Sequence, residues 1–124
     1  MEKFKRSVLA LAQPAEVQST LFPNGVGKGD ELALDFEEGL GELADATVTD
    51  EQRAAIDALD KQILEMSGDG NADFWLDETY LTTHPTWAVI RSLARTCATS
   101  FGWKIEVPQP SGAIYITAPA KPAF

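Results

Sequence analysis

The sequence predicts a mainly α domain (α+β), a compact helical unit of four to five helices closed by a small C-terminal β-hairpin. Three observations predict it. Apolar residues recur at three- and four-residue spacing through most of the chain, glycine and proline punctuate those runs, and after Gly102 the period shifts to alternation. The 124 residues suffice for one domain, 1–124, because two separate cores would each fall near the lower practical limit.

The first helix is expected over about 2–13, with Phe4, Val8, Leu11 and Ala12 on its core face. Pro14 fixes φ and lacks an N–H, so it kinks this helix or opens a further turn carrying Val17 and Leu21. Asn24 to Asp30 holds three glycines and reads as a mobile surface loop. Residues 30–43 admit two readings. Leu32, Leu34 and Phe36 alternate as in a strand, whereas Leu32, Phe36, Leu40 and Leu43 form a helical stripe with Asp30 as a cap. The glutamates favour helix, and Gly39 and Gly41 each weaken it by about 1 kcal/mol relative to Ala.

Thr49 and Gln52 match a capping box, and Ile56, Leu59, Ile63 and Met66 then form one face up to Gly68 and Gly70. A short helix capped by Asp73 is expected to carry Phe74, Trp75 and Tyr80. A longer one begins near Thr83, with Pro85 in its first turn. Its apolar side is Trp87, Ile90, Ala94, Cys97 and Phe101, with Arg91 and Arg95 opposite. The runs 103–107 and 113–117 read as the hairpin, and 118–124 as a loose tail.

Composition narrows the function. Hydrophobic residues make up 44% and charged residues 23%, the balance of a folded chain. The net charge of −9 argues against nucleic-acid binding through phosphates and against docking on an anionic membrane. The apolar run Val8–Ala12 is shorter than the roughly 7–15 residues of an export signal, and no run reaches the ~18 of a spanning helix. With one cysteine, which suits a reducing compartment, a cytoplasmic location is expected. From Asp30 to Glu78 sixteen Asp or Glu face only Arg53 and Lys61, a net of −14 that leaves +5 elsewhere. Such a segment is either a solvated face that maintains solubility or a docking surface for a basic partner.

Catalytic and metal motifs fail on spacing. Asp69-Gly70-Asn71-Ala72-Asp73 begins like a calcium loop, but Phe74 stands where glycine must turn the chain and Tyr80 where a bidentate glutamate closes the cage. Gly25-Val26-Gly27-Lys28-Gly29 lacks the upstream glycine and the following hydroxyl of a phosphate-binding loop. His84 reads as a surface or capping residue and Cys97 as a small core hydrophobe. No catalytic residue, metal ligand or cofactor is assigned.

Asp30-Glu31-Leu32-Ala33-Leu34-Asp35-Phe36, the Phe74-Trp75 pair, and Trp87 with Ile90-Arg91 and Leu93-Ala94 give the chain a style of its own. In size, charge and these segments it resembles the small acidic immunity proteins of bacterial toxin–immunity systems, including contact-dependent inhibition. The resemblance implies a cytosolic protein that binds and occludes one cognate toxin domain, commonly a nuclease with a basic groove. The candidate contacts are Glu37, Glu38, Glu42 and Asp45, with Asp73, Trp75 and Asp77 as a second patch. Trp75 is the tryptophan expected to be partly exposed, since acids flank it. Two alternatives stay open: a magnesium-dependent hydrolase using the same carboxylates, and an inhibitor that mimics nucleic acid.

Overall fold

Apolar stripes on four longer helices meet in one hydrophobic cluster in the computed structural model, which describes residues 1–44 and 46–108. The helices are α1 (Glu2–Leu11), α2 (Ala15–Gln18), α3 (Lys28–Leu40), α4 (Asp50–Glu65), α5 (Ala72–Leu76), α6 (Thr79–Thr83) and α7 (Pro85–Ser100). A 3₁₀ turn, Gly41–Leu43, extends α3, and another, Asp69–Asn71, leads into α5. Helix α1 packs against both α3 and α7, and α4 packs on α7. Phe4, Val8 and Leu11 of α1 are buried with Leu32, Ala33 and Phe36 of α3, Ile56, Leu59 and Ile63 of α4, and Trp87, Ile90, Ala94 and Cys97 of α7. Burying one large apolar side chain of this kind is worth about 1.5–3 kcal/mol. Among the described residues no helix is long and apolar enough to cross a membrane.

Local signals set several boundaries as expected. Thr49 accepts the Gln52 N–H at 3.0 Å while the Gln52 side chain accepts the Thr49 N–H at 2.9 Å, completing the box. His84 caps α7, its Nδ1 accepting the Thr86 N–H at 3.1 Å, and Pro85 occupies the first position. At the other end Trp103 N–H donates to Ala98 O and Gly102 N–H to Thr99 O, with Gly102 at φ +73°. This is a Schellman closure, in which glycine takes the left-handed position without a Cβ penalty.

Residues 28–43 resolve as helix because α1 supplies the apolar face that the Leu32–Phe36 stripe requires. The cap is Gly27, and Asp30 lies inside the first turn, buried. The expected mobile loop is overturned over its second half, since Val26 to Asp30 are buried. A Cβ on Gly29 would stand 2.8 Å from the Trp75 carbonyl and 2.9 Å from the Trp87 ring, so this glycine admits α5 and α7 to the start of α3. Lys28 is 4% exposed; its Nζ donates to Ser19 O at 2.6 Å and to Glu78 Oε2 at 3.1 Å. It ties the end of α2 to the segment before α6.

Two further expectations are corrected. The helix expected to carry Phe74, Trp75 and Tyr80 is two helices, α5 and α6, parted at Asp77, and Asn71 rather than Asp73 occupies the cap position of α5. None of the described residues lies in a strand, so 103–107 is not the first arm of a ladder; the run 113–117 and the tail 118–124 lie outside the described residues. The segment instead follows α1. Trp103 stacks on Phe101 at 4.4 Å between ring centroids, Lys5 Nζ sits 5.8 Å from the Trp103 ring, and Gln13 Nε2 donates to Glu106 O at 2.8 Å. A side-chain amide thus takes a backbone acceptor that a partner strand would otherwise use.

Candidate partner-binding surface

The acids of α3 form rows because residues three and four apart share a helix face. Glu31, Asp35 and Glu38 lie close enough to repel one another. Burial pushes the Asp35 carboxyl up to about 6, with Glu38 adding to the shift and Arg6 and Lys3 of α1 opposing it. Glu31 is raised by burial and then by Asp35, Asp30 and Glu38. Toward α4, Glu37 meets Asp60. Burial comes first, then a hydrogen bond to Asp60 and its charge, in pushing the Glu37 carboxyl up to about 8. Glu37 thus stands with Asp60 and Asp57 on the α4 side of α3, whereas the row Glu31, Asp35 and Glu38 borders Lys3 and Arg6 on the α1 side. Basic groups edge both sets: Lys3 meets Glu38 at 3.1 Å, and Arg53 approaches Asp57 at 4.0 Å.

The candidate contacts do not share one environment. Glu38 is exposed beside Lys3. Glu42 accepts the Phe4 N–H at 2.7 Å and so satisfies an orphan donor at the positive end of α1. Glu37 is half-buried against Asp60. Asp45 lies outside the described residues. Trp75 is corrected outright: it is 1% exposed, and its Nε1–H donates to Met66 O at 2.7 Å. Its ring packs edge-on against Phe74 and Trp87, which removes it from any surface. Asp77 is exposed and accepts from the Thr79 N–H at 3.0 Å and from the Thr79 hydroxyl, bonds that hold its carboxyl below the usual range and open α6.

The two predicted patches are separate. Gly29, near the start of α3, abuts Phe74 and Trp75, whereas Gly39 abuts Phe4. Ten helical residues, about 15 Å, therefore divide the Asp73–Asp77 end from the Glu38–Glu42 end. The basic residues of α7 are also engaged internally: Arg91 donates to Leu81 O at 2.8 Å and Gln18 Oε1 at 3.2 Å, and Arg95 to Ala12 O at 3.2 Å.

Residue spacing missed the part played by Asp60, since only the fold brings α4 to Glu37. It also missed a cavity of about 420 Å³ lined by Met66, Asn71, Asp73, Phe74, Tyr80 and His84 among others. Its signal was present as an aromatic- and Asn/Asp-rich stretch, but that pattern equally describes a core helix with its cap. Cys97 is fully buried, and burial pushes its thiol up to about 12, far from the thiolate a nucleophile requires. Among the described residues no group of three His, Cys, Asp or Glu is placed to hold a metal ion.

No protein-family model, curated protein or solved structure matches the chain.

Proposed function

We propose that this chain is an acidic binding protein that neutralises a basic protein partner, as an immunity protein neutralises its toxin domain. The observation that carries the reading is the row of mutually repelling carboxylates Glu31, Asp35 and Glu38 on α3, with a second acidic group where Glu37 meets Asp60 of α4. The raised carboxyls in this region mark anions held at a cost to the folded state, and a cationic surface laid over them would offset that cost. A nuclease must offer cationic groups to phosphates, so a carboxylate surface competes for the same groups without any catalytic residue of its own. In this reading Glu38, Asp35 and Asp57 meet the partner, while Glu42 keeps α1 in place beneath them.

The test is the association rate of the protein with a basic domain encoded beside it, followed by stopped flow as salt is raised. The expected rate falls steeply with ionic strength, and Glu38→Lys slows it further at low salt. An association rate indifferent to salt would overturn the proposal.

A further inference from the structure

Most acids singled out above already have internal partners: Glu42 a helix end, Glu37 Asp60, Glu38 Lys3, and Asp77 the Thr79 turn. Asp73 differs. Among the described residues its exposed carboxylate has no hydrogen-bond or ion-pair partner, and neither do the Asn71 amide nor the Tyr80 hydroxyl. All three line the cavity of about 420 Å³. Among the described residues no lysine or arginine lines it. Its aromatic side is packed: the Phe74 ring lies edge-to-face with His84 at 4.8 Å and stacked on Trp87 at 5.1 Å, and Tyr80 leans on His84 at 5.9 Å. The volume falls at the low end of the roughly 300–1,000 Å³ of small-ligand sites.

We infer that this cavity receives a single arginine side chain of the basic partner, with Asp73 as its counter-ion and Tyr80 as the ring it stacks on. The inference rests on the proposed function for the source of that arginine. A planar guanidinium suits the site better than an ammonium. It presents five donors, of which the Asp73 carboxylate and the Asn71 carbonyl can accept several, while its face lies flat on the Tyr80 ring. His84 has committed Nδ1 to the Thr86 N–H, so its ring orientation is set by the cap of α7 before any ligand arrives. A pre-ordered wall of this kind lowers the ordering cost of binding. The acidic surface on α3 and α4 would then govern encounter, and the cavity would govern how long the complex lasts.

The experiment uses ¹⁵N-labelled full chain titrated with N-acetyl-arginine amide and, separately, with the citrulline counterpart, which keeps the shape and lacks the charge. Arginine amide is expected to shift the backbone signals of Asn71, Asp73, Tyr80 and His84, citrulline amide to leave them in place, and Asp73→Asn to abolish the response. Equal responses to both probes, or none to arginine, would overturn the inference. With the basic domain, Asp73→Asn and Tyr80→Leu are expected to speed dissociation about tenfold or more with little change in association. Salt-dependent association with unchanged dissociation in both variants would overturn the cavity and leave the acidic-surface reading intact. Arginine-specific shifts with no binding of the basic domain would support the cavity and overturn that reading.

Discussion

Gly39→Ala tests the seam on which the acidic surface is mounted. Gly39 sits in α3 where a Cβ would stand 2.8 Å from Phe4 Cα, 3.2 Å from Phe4 N and 3.2 Å from Ser7 Oγ. Carbon atoms rest at about 3.5–4.0 Å, so α1 and α3 must separate by roughly 0.7–1.2 Å, and a gap of that order forfeits a quarter to a half of each neighbouring contact. The nearest atoms belong to backbone, which cannot rotate aside, and Phe4 sits against Phe36 at 5.9 Å and holds Glu42 through its N–H. Overpacking of this type costs about 1–3 kcal/mol, against about 1 kcal/mol returned by the better helix propensity of Ala. Gly41→Ala is the control, since nothing lies within 4 Å of its Cβ position and its φ is −60°. It is expected to gain about 0.4–1 kcal/mol. Urea unfolding at neutral pH, with unchanged m-values, should therefore place Gly39→Ala about 2 kcal/mol below Gly41→Ala. Equal midpoints for the two would refute the close approach.

Stability should fall as pH rises between 4.5, the ordinary Glu37 value, and about 8, because the folded chain holds a proton that the unfolded chain has released. Glu37→Gln, which can still donate to Asp60, is expected to flatten that slope in denaturant titrations across the window; an unchanged slope would show that the proton lies elsewhere. Lys28→Met removes two charge-assisted hydrogen bonds at a 4% exposed position and strands the Ser19 carbonyl, for a loss of about 2 kcal/mol. Glu78→Gln, at the half-exposed end of the pair, should cost less than about 1 kcal/mol, and equal losses would contradict the buried tether.

Elements whose causes are local were legible in the residues. The Thr49–Gln52 box, the Pro85 entrance with His84 before it, the Gly102 stop and the α4 stripe each depend on atoms within a few positions of one another. The charge imbalance of the central segment was equally plain. Errors arose where distant parts of the chain decide. Trp75 has acidic neighbours in sequence, yet Phe74, Trp87 and the Met66 carbonyl enclose it. The glycines before Asp30 suggested a mobile loop, and packing against α5 and α7 makes part of it interior.

The same division holds for the candidate site. Composition and order along the chain determined that the middle of this protein is anionic and helical, because charge adds by residue and helices are specified by short-range periodicity. Only the tertiary structure decided which carboxylates face solvent, which cap α1 or meet across α3 and α4, and that Asp73 opens on an aromatic-walled cavity. Those outcomes depend on which helix lies beside which, and helix packing is set by shape complementarity between side chains far apart in the sequence.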